Sequence, residues 1–258
     1  MYKFLWVSAS PSLKYFHRRL LNNLSKVVKI ELWEYYQTLD EGSSIDGAID
    51  LLQEYLDNSE CPVHLVGHGV GGAIALGYAR IYPAKVASLT LLSVAVQPAI
   101  NWHSYYYAQL RSLPANRECV LKSIANNIFP HIYPNYVSDL VDRLGRDLVE
   151  SPSNHSLFRL DIQPEGGVEM PLLICASQDD PVITLSALYG WHSYFKSADT
   201  IWRSSTGGHF FHHFHPELVS HQIEHFWQKS EPKLGLHQLN ALASTLQDSV
   251  ELNYWSLD

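Results

Sequence analysis

Three short stretches of the chain carry side chains able to do chemistry. In the first, Gly67-His68-Gly69-Val70-Gly71-Gly72, an apolar run from Val63 passes directly into closely spaced glycines. Glycines packed this tightly mark a sharp turn or a close backbone approach, with room beside the chain for another group. The second, Ser177-Gln178-Asp179-Asp180-Pro181-Val182, places two carboxylates after another apolar run. The third is Thr206-Gly207-Gly208-His209-Phe210. An imidazole oriented by a carboxylate is a general base near neutral pH, able to take a proton from water, a hydroxyl or a C–H. Each stretch also has a plainer reading, since adjacent acids after a strand often serve only a solvated turn.

Other candidates are weaker. His209, His212, His213, His215, His221 and His225 form a histidine-rich tract, and His221 and His225 stand four apart on a predicted helix, a spacing at which two imidazoles share a metal. No acidic or Cys ligand joins them at a metal-binding spacing, so the expected reading is a solvated helix face with neither metal nor other cofactor. Ser8, Ser10 and Ser93 fall near expected strand ends, but none sits between glycines, and such hydroxyls commonly satisfy turn backbone groups. Cys175 ends an apolar run and reads as a small buried hydrophobe.

The elements that must position these groups follow from the apolar pattern. A strand over Lys3–Val7 leads through Ser8–Ser12 into a helical stretch Leu13–Leu24. A strand at Val27–Leu32, a polar loop and an amphipathic helix Ile45–Leu56 come next. The Val63 strand runs into its glycines and the small-residue helix Ala73–Ala79, then a strand Val86–Val94. Strand–helix–strand repetition of this kind implies a mostly parallel, doubly wound sheet, buried on both faces by helices. Between about 96 and 170 the pattern changes to aromatic-rich helical pieces with several prolines, which reads as an inserted helical cap. Trp102 and Tyr106 in that cap either line an apolar ligand pocket or pack the cap onto the core. Beyond it the sequence predicts a strand Pro171–Ala176, a helix Ser186–Phe195, a strand Thr200–Ser204, a helix Pro216–Trp227, and an appended helix and tail over 229–258.

Length and composition bound the rest. With 258 residues and 46% hydrophobic content the chain reads as one domain, 1–258. A net charge of -8 argues against nucleic acid, which needs clustered Lys and Arg. The odd, scattered cysteines Cys61, Cys119 and Cys175 suit a reducing cytoplasm. No run approaches the ~18 apolar residues of a membrane span, and the opening residues lack the length of a secretory signal. A small molecule is the expected partner, and no feature of the sequence indicates an oligomeric state.

The order of the three stretches resembles the α/β-hydrolase fold family over nearly the whole chain. That family places a nucleophilic Ser in a G-x-S-x-G turn between strand and helix, then an acid, and last a His. Gly67-His68-Gly69-Val70-Gly71 keeps the flanking glycines but has Gly69 where the family has Ser. The resemblance implies that Asp180, directly ahead of Pro181-Val182, is the acid, with Asp179 the alternative, and that His209 is the base. It also implies an oxyanion site made by the backbone N–H of Val70 and one from Ser10 or nearby. Two features depart from the family. Ser8-Ala9-Ser10-Pro11 replaces the usual His-Gly pair of the oxyanion loop, with Pro11 unable to donate an N–H, and the opening hairpin is missing. The expectation is an α/β-hydrolase-like protein with an Asp–His pair but no serine nucleophile, acting on a small apolar or ester-like molecule or descended from such an enzyme. The competing expectation is a noncatalytic binding protein or scaffold.

Overall fold

The computed structural model describes residues 3–230 apart from 39, 41, 113–115 and 131. Six strands, β1 (Lys3–Ser8), β2 (Ile30–Glu34), β3 (Val63–His68), β4 (Val86–Leu92), β5 (Leu172–Ser177) and β6 (Thr200–Ser204), form one sheet in the order β2-β1-β3-β4-β5-β6. Every pairing is parallel. The helices are α1 (Arg18–Leu24), α2 (Ile45–Leu56), α3 (Gly69–Ile81), α4 (Trp102–Ser112), α5 (Arg117–Ile128), α6 (Val137–Glu150), α7 (Leu185–Tyr189), α8 (Phe211–Phe214) and α9 (Pro216–Ser230).

A parallel sheet needs cover on both faces, and the strand period of two supplies it. Along β1, Leu5 and Val7 join a core with Leu65, the α2 stripe Ile45, Ala48, Ile49 and Leu52, and the α3 residues Ile74 and Ala75. Phe4 and Trp6, on the opposite face, join Leu20 and Leu24 of α1 and Val219, Ile223, Phe226 and Trp227 of α9. The fold is therefore the doubly wound α/β arrangement expected from the apolar pattern. Helix α2 starts where the Ser44 side chain accepts the Gly47 N–H at 2.9 Å, an N-cap that fixes its first turn.

Several boundaries differ from the sequence reading, each for a local reason. The segment Leu13–Leu24 begins as a 3-10 turn, Pro11–His17, set up by Pro11 at its start, and becomes α-helical only at Arg18. Strand β2 begins at Ile30 and not at Val27, because the Val27 and Val28 N–H groups both return to the Leu24 carbonyl and finish the turn after α1. Strand β4 stops at Leu92 because Ser93 takes a positive φ of 50°, which ends the extended run. The helix expected over Ser186–Phe195 is α7 followed by a 3-10 turn, Gly190–Tyr194. Between β4 and β5 lie the three inserted helices α4, α5 and α6, then irregular chain. Residues 229 and 230 close α9, and the tail expected beyond them falls outside the described residues.

Candidate active site

The carboxyl ends of β3, β5 and β6 converge, which is where ligands sit in open α/β sheets. At the end of β3 the chain turns through Gly69, whose φ of +51° is one that side chains other than glycine adopt only under strain. Gly71 is required for a different reason. A Cβ there would run into the Val7 carbonyl oxygen and lie close to the Ala9 N–H, so the loop after β1 rests directly on the first turn of α3. The N–H groups of that first turn, Val70 among them, have no partners within the helix and carry the positive end of its dipole.

The two acids at the end of β5 divide their work. Asp179 accepts the N–H groups of Gly207 (3.2 Å) and Gly208 (2.8 Å), tying the β6 turn to the β5 loop. Both glycines have positive φ, so this turn is one few other residues could make. Asp180 instead meets the ring of His209: its Oδ2 lies 3.0 Å and its Oδ1 3.3 Å from His209 Nδ1. Asp180 Oδ1 also accepts the Val182 and Ile183 N–H groups at 2.8 and 3.1 Å. Burial opposes the Asp180 charge, but His209 and these amides outweigh it and hold the carboxyl below its ordinary value.

The other nitrogen of the ring, His209 Nε2, is buried and has no hydrogen-bond partner. A Cβ built on Gly69 would lie 3.6 Å from it, with no other atom outside the adjoining backbone within 4 Å. This nitrogen thus faces the Gly69 position, across a space that a small side chain would fill. The His209 carbonyl accepts from His68 Nε2 at 2.9 Å and from Ser93 Oγ at 3.1 Å, which fixes the backbone behind the ring.

The remaining predicted residues are placed as follows. Ser93 spends its hydroxyl on that carbonyl. The Ser10 hydroxyl pairs with the Ser151 hydroxyl at 3.3 Å, and the Ser10 carbonyl accepts the Leu13 N–H. Trp102 and Tyr106 are both buried. Trp102 Nε1 donates to Asp147 Oδ2 at 2.8 Å, and Tyr106 packs edge-on against Tyr107 within the core. A cavity of about 250 Å³ lies alongside α4, lined by Gln97, Asn101, Ser104, Tyr105, Leu160 and Val182 among others, and its lining does not include Gly69 or His209. His221 and His225 are exposed on α9, as a solvated face requires. Cys175 is fully buried, and burial pushes its thiol pKa up. Sequence reasoning missed Asp147, a fully buried acid that also accepts from His103 Nε2 (3.1 Å) and Ser151 Oγ (2.6 Å). A signal was present: it continues the buried stripe Val137, Leu140, Leu144 of α6 at helical spacing.

No family model matches the chain. An uncharacterized protein of Nostoc sp. is 47% identical over 224 residues, covering 87% of this chain and 90% of that protein. An uncharacterized protein of Synechocystis sp. is 38% identical, covering 93% of this chain and 95% of its own length. Among solved structures, an α/β-hydrolase fold protein from Chitinophaga pinensis superposes with a TM-score of 0.61 at 14% identity, covering 88% of this chain and 89% of that one. The chain has the α/β-hydrolase fold. The Bacillus megaterium epoxide hydrolase has the same fold, with a TM-score of 0.59, 14% identity and coverage of 88% and 94%. Within this α/β-hydrolase fold, the elbow, acid and histidine stretches fall at the ends of β3, β5 and β6. No helix among the described residues is long and apolar enough to cross a membrane.

Proposed function

We propose that this α/β-hydrolase acts on a small apolar or ester-like molecule, with His209 as general base, Asp180 as its orienting acid, and no covalent serine step. The observation that carries this reading is the His209 Nδ1 contact with Asp180 at 3.0 Å, with Nε2 buried, unpartnered and facing Gly69. A base works when its proton-accepting nitrogen is within reach of the group it deprotonates and its other nitrogen is held in the right tautomer. Asp180 holds the Nδ1 proton, which leaves the Nε2 lone pair toward the elbow. There it would take a proton from a water in the space that a serine side chain would occupy, or directly from the substrate. Asp180 would stabilise the imidazolium so formed, and the Val70 N–H with one from the Ser10 region would meet developing negative charge. Gly69 itself offers no atom that can attack, so an acyl-enzyme cannot form at this position.

A second reading, a noncatalytic ligand-binding or scaffold protein built on the hydrolase frame, is favoured by one observation: His209 has no exposed surface. A substrate would have to open the site before meeting the base.

Gly69→Ser separates the two. The parent and the variant would be treated with a fluorophosphonate probe and with short p-nitrophenyl esters, beside a Gly69→Ser/His209→Ala double variant. The expected result is labelling of the single variant alone, which requires an intact and reachable base. Labelling of the parent at its elbow helix would sink the assignment of Gly69. A folded Gly69→Ser variant that stays unlabelled would sink the base assignment and favour the binding reading.

A further inference from the structure

Three histidines far apart in sequence meet behind the elbow. His17 ends the 3-10 turn after β1, His68 is the last residue of β3, and His212 lies in α8. One ring nitrogen from each lies within 4.8 Å of those of the other two. All three side chains are buried, with Trp6 and Phe210 packed against them. His17 Nδ1 and His212 Nε2 are 2.9 Å apart in rings tilted by only 17°, so the pair shares one proton.

We propose that His17, His68 and His212 form a buried binding site for one transition-metal ion of the zinc class. Metal ligation needs the neutral imidazole, and the apolar burial of all three rings against Trp6 and Phe210 disfavours their charged form. Three nitrogens without a carboxylate or thiolate select zinc, copper, nickel or cobalt over calcium and magnesium. A metal takes the place of the proton shared by His17 and His212, which moves to the other nitrogen of the ring that gave it, so the ligands stay neutral. Zinc–nitrogen bonds of ~2.0–2.1 Å in a tetrahedron put two nitrogens about 3.3 Å apart, so the pair has to open by about 0.4 Å. With the His68 Nε2 proton held by the His209 carbonyl, its ligating nitrogen is Nδ1. The fourth coordination position stays open to water or a small anion. Asp147, whose charge acts on His17, is the nearby buried counter-charge. Such an ion would clasp the loop after β1, the elbow strand and α8 behind His209, whether or not His209 is a base.

The test uses the full chain without a polyhistidine tag, stripped with EDTA, loaded with zinc chloride and desalted. The expected result is one zinc per chain by mass spectrometry, and a melting temperature raised by roughly 5–10 °C with zinc at ~100-fold its Kd. His17→Gln and His212→Gln should each lose both, and a His221→Ala/His225→Ala variant should keep both. No retained zinc in the parent, or zinc lost only from the α9 variant, overturns the proposal. Should the core variants fail to fold, cobalt loaded into the parent decides: intense visible d–d absorption marks a four-coordinate site, and weak six-coordinate absorption or none counts against it.

Discussion

At Gly69 the cost of a side chain can be separated from the benefit of a nucleophile. The φ of +51° is strained for any other residue, while among the described residues the atom that an added Cβ meets beyond the adjoining chain is His209 Nε2 at 3.6 Å, an ordinary contact. Gly69→Ala should therefore fold and lose about 1–3 kcal/mol by strain alone, measurable by urea denaturation. A loss well above that would mean a clash, and none at all would mean the turn relaxes. Gly69→Ser should carry the same cost, so any reactivity it gains comes despite lower stability. The residues of this site were legible because glycines and a proline punctuate each stretch at a strand end, a pattern that survives the change of one side chain. The sequence left Asp179 and Asp180 as alternatives, since adjacent acids look alike until a backbone shows which faces the ring and which the Gly207 turn. His17 and His68 carried no such signal. Their meeting depends on β1 and β3 pairing side by side, and no spacing along the chain encodes that.

Elements were legible where apolar period and flanking turn residues agreed, as for α2 and β6, whose predicted bounds match the structure. They were less so at β2, an edge strand with Leu32 turned outward and a helix end crowding its start. The insertion was legible as helical and aromatic, but its attachment was not. That attachment centres on Asp147 of α6, which gathers Trp102 and His103 of α4 and Ser151, with Ser12 of the loop after β1 at 3.4 Å. One buried carboxylate thus links two inserted helices to the loop that borders the elbow. Asp147→Ala leaves the indole, imidazole and hydroxyl donors buried without their acceptor. It should cost about 3–5 kcal/mol, as for other broken buried charge networks, while Asp147→Asn, which keeps one acceptor oxygen, should lose less. Urea denaturation of both variants checks the order. Equal losses below about 1 kcal/mol would mean that apolar packing alone fixes the insertion.

Over the whole molecule, the buried histidines set a direction for stability against pH. Burial lowers His17 to about 3 and His64 to about 4, and lowers His68 and His212 well below the ordinary value, against about 6.5 in an unfolded chain. The groups that face them do not reverse this: Asp147 raises His17 but is outweighed, and His209 and His213 add further lowering within the cluster. Between pH 6.5 and about 4 the unfolded chain takes up protons that the folded chain refuses, so stability rises with pH across that window and is lost on acidification. The loss levels off only where the native rings themselves titrate. Fully buried His17 and His64 each contribute a slope of up to about 1.4 kcal/mol per pH unit, and typical stabilities of 5–15 kcal/mol leave little margin for several such groups. In EDTA, to exclude metal, the melting temperature should fall steeply from pH 6.5 to 5, above the range where Asp180 and other lowered carboxyls protonate. His64→Gln should flatten the slope by about one proton, because it removes a ring bonded to Ser88 and stacked on Phe4 without touching the elbow. Stability that is level between pH 7 and 5 would mean that these rings are already protonated in the folded protein, which their burial opposes.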